Sequence, residues 1–572
     1  MSPQSRGAEI RVWPALVIVA SAAVFLLWNW WLANPDFRQS QVVRTVITVL
    51  VTVLALLLWW TFFSRLGWRV RLAGLALLVA GLLAAQIRLE LRGFTGDLVP
   101  RLAWREAGAA QPRAEPPPLP PPARREPAEA EPDETQQTAE PSAGPEPAVA
   151  AAAPAEPAAD LTPGTPDAAP RDAAPAPREF SQFLGPRRDA TLAGIHLARD
   201  WSTEPPRLKW RQPIGSGWAG FAVAGGLAIT QEQRSGREAV VAYDLETGEP
   251  RWSHQRGASF ASALAGDGPR ATPTIHGGRV YALGATGLLA ALELATGAVI
   301  YEKDVLAETG ARRPSHGVAA SPLILDDLVV VLAGGPDGRS LVAYDLHTGE
   351  QRWSGGDDPA AYSSPLVATL GGLRQIVVLN QHHVTGHDAA GGAVLWQHPW
   401  PRGSERVSQP VPLAGDRLFV STGYGIGGQL LQVSRGEDGA FSVEQLWETR
   451  RLKAKFTQIV EHEGFLYGLD DGVLVCLDPA DGERRWKRGR YGHGQVLLVD
   501  ELLLVQAEDG AVVLVDPGPE QLVELGRFQA VEGRAWATPA LAGDHLIVRS
   551  DVEAACYRLP TAAQEPSRQT AP

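Results

Sequence analysis

Long apolar runs open the chain and short ones fill its second half, with a stretch poor in large apolar residues between them. Positions 14–33 and 45–63 carry no charged residue over 20 and 19 positions, close to the ~20 residues that cross a bilayer as a helix. A third run, 70–87, completes the set once Arg71 snorkels towards the headgroups. Trp28, Trp30 and Trp31 close the first run, Trp59 and Trp60 close the second, and Trp68 precedes the third, where rings meet a membrane interface. The first run ends in bulky residues and two more follow it, which predicts a retained helix rather than a cleaved leader. Three spans put the chain ends on opposite sides. Arg65, Arg69 and Arg71 against Arg38 and Arg44 favour a cytoplasmic N-terminus, although Arg88, Arg92, Arg101 and Arg105 dilute the bias.

Residues 106–178 hold 19 Pro and 22 Ala in 73 positions and no aromatic residue, too little apolar surface to offset ordering entropy. They are expected to form a disordered linker, a spacer holding a domain away from the membrane. Its reach lies between roughly 50 Å as a coil and 200 Å fully extended.

From Phe180 onwards, short apolar runs alternate with Gly and Asp, and one phrase recurs: VVAYDLETGEPRW (240–252), LVAYDLHTGEQRW (341–353) and VLVCLDPADGERRW (473–486). Degenerate copies stand at 289–301, 384–396 and 514–525, and a further one ends at Trp447. Each reads as a hairpin: an alternating strand, an Asp/Thr/Gly turn, and a strand ending in an aromatic. The closing positions, Trp210, Trp252, Tyr301, Trp353, Trp396, Trp447, Trp486 and about Leu525, lie 39 to 52 residues apart, one four-stranded propeller blade each. The first outer strand, 208–212, lacks inner strands, and three strands near 537–541, 545–550 and 554–559 lack an outer one. Joined, they make an eighth blade and close the ring without exposed edges. ATPTI (271–275), ASPLI (320–324), SSPLV (363–367), SQPVP (408–412) and ATPAL (537–541) open the blades with small residues suited to the central channel.

The expected architecture is therefore all-β: an eight-bladed propeller over 179–560, preceded by a membrane domain (1–105) with three helices and the 106–178 linker, and followed by a disordered tail (561–572). Charge divides along the same lines: +7 over 1–105, −8 over 106–178 and −11 beyond, within a total of −12. An acidic soluble part argues against nucleic acid as a partner. Two Cys in 572 residues exclude a disulfide scaffold.

The repeated YDLxTGExxW phrase resembles the repeats of the pyrroloquinoline-quinone (PQQ)-type propeller superfamily, which holds quinoprotein alcohol dehydrogenases and the outer-membrane assembly factor BamB. The entry segment at 180–218 and the segments at 467–499 and 548–559 are similar to those of bacterial PQQ-like repeat proteins. The resemblance implies the fold over about 180–560; function is set by sites rather than by repeats. In the dehydrogenases it implies adjacent cysteines joined against the cofactor, a Trp floor, and calcium held by acidic and Asn ligands beside a catalytic Asp. Cys476 and Cys556 are 80 residues apart, so no vicinal disulfide forms, and no segment carries the calcium ligands. Membrane-bound glucose dehydrogenases join a similar propeller to five spans in a longer chain. BamB is a lipoprotein tethered by an acylated Cys; here no Cys precedes residue 476.

The channel mouth is the expected binding place, with Trp218, His316, Tyr362, Gln409, Lys455, His493 and Trp536 near the starts of the inner strands. An aromatic floor with one cation and two imidazoles suits a flat anionic quinone or a peptide carboxylate. Lys455 is one of only five Lys against 47 Arg, which marks it out. The plain structural reading of these residues is blade packing around the axis. His382, His383, His387 and Asp388 suggest a metal, but His382 opposes the other two imidazoles on a strand, and His387-Asp388 fills the Tyr-Asp slot of the repeat. Glu461-His462-Glu463 reads as a hairpin tip, GYGIGG (423–428) lacks the following helix a dinucleotide loop needs, and Cys476 and Cys556 read as small buried hydrophobes. No Ser-His-Asp arrangement follows from spacing. The expectation is a membrane-anchored, periplasm-facing protein-binding or scaffolding propeller in a bacterial inner membrane, with no catalytic residue, metal or cofactor assigned. The alternative is a PQQ- and calcium-dependent dehydrogenase, or a PQQ-binding sensor, using the same channel.

Overall fold

A computed structural model describes residues 12–33, 38–104, 116–120, 179–262, 265–403 and 405–562. Most of the 106–178 segment and the tail beyond 562 lie outside the described residues, as do the expectations placed on them.

Among the described residues, three helices are long and apolar enough to cross a membrane: Trp13–Leu32, Gln39–Phe63 and Trp68–Arg88. The second starts six residues before the expected 45, because Gln39–Arg44 continue the helix as a polar first turn. That turn forms a clasp with the end of the first helix. Asn29 Nδ2 donates to the Gln41 carbonyl (3.0 Å), Gln41 Nε2 donates to the Asn29 carbonyl (2.9 Å), and Trp30 Nε1 donates to Thr45 Oγ1 (2.9 Å). Polar groups on these apolar helices are thereby satisfied helix to helix. At the opposite end the Arg71 guanidinium donates to the Thr61 carbonyl, so it is held by the second helix rather than snorkelling.

The third helix runs without a break into a hairpin the sequence reading did not anticipate: β1 (Leu89–Phe94) paired antiparallel with β2 (Pro100–Trp104), turning at Thr95–Val99.

The propeller has eight four-stranded sheets. Blade one holds Ala222–Ala224, Leu227–Arg234, Arg237–Asp244 and Pro250–Gln255, and blades two to seven repeat this order from Thr274 to Gln529. Blade eight joins Ala540–Ala542, His545–Arg549 and Glu553–Arg558 to the N-terminal strand Arg207–Pro213, the closure expected from the sequence. Thr191–Leu192 adds a short parallel strand inside blade seven.

The third strands do not alternate as expected. Val240, Val241, Ala242 and Tyr243 are all buried, because each sheet is covered on both faces by its neighbours. In all eight blades the pairing of third and fourth strands slips by one residue beside the closing aromatic position, a bulge that explains the rest of the phrase. Trp252 opposes Ala242 and Pro250 opposes Tyr243, so Arg251 is the extra residue, and its guanidinium turns back to Asp244 (2.6 Å). Arg352 does the same to Asp345 (2.9 Å) and Arg485 to Asp478.

Each such Asp also caps its turn. Asp345 accepts from His347 N (2.9 Å), Thr348 N (2.9 Å) and Thr348 Oγ1 (3.2 Å), and these donors hold its carboxyl down at about 2. A depressed carboxylate contributes stability above its ordinary value of 3.8, lost as pH falls through about 2. Asp345→Ala is therefore expected to lower the urea midpoint at pH 7, with the gap from the parent closing between pH 4 and 2. A gap that persisted at pH 2 would refute this role.

Blades join through their aromatics. Trp252 Nε1 donates to the Leu294 carbonyl of blade two (2.8 Å), and its ring lies where a Cβ on Gly297 would stand. Trp210 meets Gly248, Tyr301 meets Gly349, Trp353 meets Gly392 and Trp447 meets Gly482 in the same manner. Each of these glycines has positive φ, between 71° and 76°. The Thr-Gly, Asp-Gly or, at Gly392, Gly-Gly turn is thus the seat for the preceding blade's aromatic.

Candidate functional site

Each blade's opening segment runs along the channel from one end to the other, so residue order is depth. Arg534 meets the hairpin, Trp536 and Thr538 line a cavity, and Ala540 starts the strand. His316 and Ala319 line the same cavity, and Ser321 and Pro322 then meet the segment that enters the ring. The cavity, about 330 Å³, lies between two plugs made by the chain itself.

The entry segment forms the far plug. Phe180 pairs with Val223, Ser181 O accepts from Ile275 N (2.7 Å), and Thr191–Leu192 pairs with blade seven. Between them the buried Arg188 donates to the Ser321 and Pro322 carbonyls (3.0 and 2.9 Å), while Gln409 Nε2 donates to the Arg188 carbonyl (2.7 Å). Burial pushes Arg188 down to about 9, and the guanidinium remains charged at neutral pH. Blades one, two, three, five and seven are tied across the axis by thirteen residues, and Phe183 presents its ring to the cavity.

The hairpin turn Thr95–Leu98 forms the near plug. Gly96 N donates to Glu508 Oε1 (2.6 Å), the Gly96 carbonyl accepts from Lys455 Nζ, and the Phe94 carbonyl accepts from Arg534 Nη1 (3.0 Å). Asp97 Oδ1 stands 3.0 Å from His493 Nε2, and Gln39 Oε1, from the start of the second helix, accepts from Lys455 Nζ (2.6 Å). The start of the second helix and the end of the third both reach the same mouth. A Cβ on Gly96 would overlap the His493 ring and sit 2.9 Å from Phe456.

Aromatic rings and charge fill the space beneath. Trp218 and Trp536 lie 4.7 Å apart, Phe456 is 5.0 Å from Trp536, and Arg534 stands over both Trp rings. Lys455 Nζ lies 4.7 Å from the Tyr424 ring. Desolvation lowers Lys455 to about 8, against the pull of Asp97, Asp471 and Glu508. Burial lowers Arg270 to about 10 and raises the Tyr362 phenol. His316 lies 3.5 Å from Glu405 and 5.7 Å from the Tyr362 ring. Chemically the chamber offers stacking faces and buried cations, and its rim offers hydrogen-bond partners to a peptide backbone.

Of the seven residues singled out in the sequence, Trp218, His316, Tyr362, Lys455 and Trp536 line the cavity. His493 lies at its rim against the hairpin, and Gln409 faces the entry plug. Sequence reasoning passed over Glu508, Arg534 and the hairpin. Thr-Gly-Asp between two short alternating runs, LELRGF and VPRLAW, is the hairpin signal, masked by its place beside an apolar helix. Glu508 and Arg534 lie in irregular loops with no repeat phrase to mark them.

The other candidates have structural places. His382 and His383 both turn their Nδ1 to the buried Asp358 (2.7 and 3.1 Å), while His387 is buried against Thr385 and the Gly392 carbonyl (both 3.0 Å). Asp388 caps its turn through Gly391 N, and Glu461 accepts from Gly464 N. Gly423–Gly428 joins two strands of blade five.

The PQQ resemblance raises the question of whether the chamber fits that cofactor with calcium. Cys476 and Cys556 are buried in blades six and eight, opposite Trp486 and Trp210, where burial pushes the thiols up to about 11 and 12. Among the described residues no group of three or more His, Cys, Asp or Glu is placed to hold a metal, and Glu405 is the one carboxylate lining the cavity. Calcium takes 6–8 oxygen ligands, several of them carboxylates. The described residues do not fit a calcium-bound quinone.

The family described as outer membrane protein assembly factor BamB matches residues 200–316 and 237–488 of the 572. No curated protein matches. Among solved structures, BamB from Moraxella catarrhalis is 14% identical over 62% of this chain and 100% of its own, with a TM-score of 0.46. A europium-containing methanol dehydrogenase is 12% identical over 65% and 89%, with a TM-score of 0.41. A quinohemoprotein alcohol dehydrogenase from Comamonas testosteroni is 13% identical over 69% and 82%, with a TM-score of 0.40. With its eight blades, its repeated phrase and a family match running from residue 200 to 488, this chain belongs to the BamB family of PQQ-like repeat propellers.

Proposed function

We propose that this protein is a peptide-binding scaffold, held on the periplasmic face of a bacterial inner membrane by its three helices. The observation that carries the reading is the occupied mouth. Lys455 and Arg534, from the openings of blades six and eight, and Glu508, from the loop between the second and third strands of blade seven, each bond a backbone group of the hairpin. A mouth that addresses main-chain N–H and C=O groups recognises polypeptide, as edge and loop surfaces do elsewhere. The periplasmic side is supported by Arg65, Arg69 and Arg71 about the join of the second and third apolar runs, against Arg38 and Arg44 about the join of the first and second.

The test uses the full-length protein. A photo-crosslinking residue replaces Arg312, exposed in the loop leading to His316, and is expected to yield a discrete protein adduct in cells. In nanodiscs, added PQQ and calcium are expected to give no dye reduction with alcohols or sugars. Saturable PQQ binding with turnover would establish a dehydrogenase instead, and binding without turnover a sensor. A C-terminal alkaline phosphatase fusion that stays inactive would overturn the assigned side.

A further inference from the structure

The Thr95–Leu98 turn occupies the mouth as a ligand occupies a receptor. Its recognition is specific in shape: only glycine fits at position 96 between His493 and Phe456. It is specific in charge: Asp97 meets His493, and Lys455, only 2% exposed, bonds the Gly96 carbonyl and Gln39. Its contacts with the rim are largely hydrogen bonds to backbone, which water or another turn can replace.

The two sides of this contact are tethered unequally. The hairpin begins at Leu89, directly after the third helix ends at Arg88, so it has no slack relative to the membrane. The propeller is joined to the hairpin through 105–178, in which Pro117 and Pro120 accept from Arg234 and Ser253 of blade one, so the chain from the hairpin's end at 104 to this attachment can span up to about 40 Å. The propeller can therefore leave the seat while the turn stays at the membrane.

We propose that the mouth is a receptor for an acidic glycine turn, Gly-Asp presented on a β-hairpin. This chain's own turn is then a resident occupant, displaced by the equivalent turn of a partner protein. The inference rests on the peptide-binding reading above and adds the site, the partner chemistry and a self-blocked state. A turn on the same chain acts at an effective concentration on the order of millimolar, so a partner competes by binding more tightly or by sharing the membrane. The linker then serves a propeller that undocks, and the expected spacer describes only the released state.

The probe is a synthetic, end-cyclised peptide of residues 89–104, titrated against the full-length protein in nanodiscs. In the Gly96→Val protein the resident turn cannot seat, and the peptide is expected to bind at least tenfold more tightly than to the parent. Asp97→Ala, which removes the His493 contact without adding bulk, is expected to shift affinity in the same direction and keeps the test open should Gly96→Val fold poorly. Adding Glu508→Gln and Lys455→Met to Gly96→Val is expected to abolish binding. Equal affinity in parent and opened proteins, no binding in any of them, or binding that survives the double change would each overturn the proposal. Absent peptide binding beside a persistent Arg312 adduct would sink this inference and leave the scaffold reading standing. Loss of both would sink the two together.

Discussion

Arg549→Ala is expected to destabilise the propeller by about 3–5 kcal/mol, the range for removing one partner from a buried charged network. Arg549 sits where blade eight meets blade one and is 1% exposed. Its guanidinium donates to the carbonyls of Gly215 (3.1 Å), Ala219 (3.0 Å) and Gln231 (3.0 Å) and to Thr230 Oγ1 (2.9 Å). Truncation would strand those acceptors and withdraw positive charge from Glu232, which is fully buried and already shared by Arg234 and Tyr243. Burial lowers Arg549 only to about 10, so the charge is present at neutral pH. Urea unfolding followed by near-ultraviolet dichroism reads the effect. A loss below about 1 kcal/mol, the scale of a single ordinary hydrogen bond, would show that this arginine does not fasten the ring.

Trp252→Ala is expected to cost a similar ~3–5 kcal/mol, the range for deleting a large buried ring. The ring is 4% exposed, covers Gly297 and ties itself to the Leu294 carbonyl, so its loss opens the seam between blades one and two. Gly297→Ala attacks the same joint from the other side. Its Cβ would overlap the Trp252 ring on a backbone at φ 73°, and overpacking alone costs ~1–3 kcal/mol. Because both changes act on one contact, the double variant is expected to lose less than the sum of the single losses. Strict additivity would mean that the aromatic and the glycine contribute independently.

The ring was legible in the sequence because its most regular feature, the aromatic closing seven of the eight blades, is also an element that packs blade on blade. The strand split between residues 207–213 and the C-terminus was legible because incomplete blades must complete one another. Alternation failed for the third strands, since a sheet covered on both faces gives no polar side to read. The chamber was half legible. Residues at strand starts lie beside the axis, and Trp218, His316, Tyr362, Lys455 and Trp536 line the cavity, but depth along the channel separates Gln409 from them. The plugs depend on partners far away in sequence: Gly96 and Glu508 are 412 residues apart. No local pattern encodes such a meeting.

The repeated phrase carries both halves of a joint. Its Thr-Gly turn receives the aromatic of the blade before, and its own aromatic is handed to the blade after. Copying one repeat length of the gene would therefore deliver a new unit already compatible with both neighbours, and no new interface would have to be invented. The same logic tells where the ring does without the joint. Blade five turns between its last two strands without a Thr-Gly pair, and the preceding Trp396 bonds Gln375 within its own blade (2.6 Å). The ring is a chain of paired half-joints, and where the turn half is missing the aromatic half finds its partner inside its own blade.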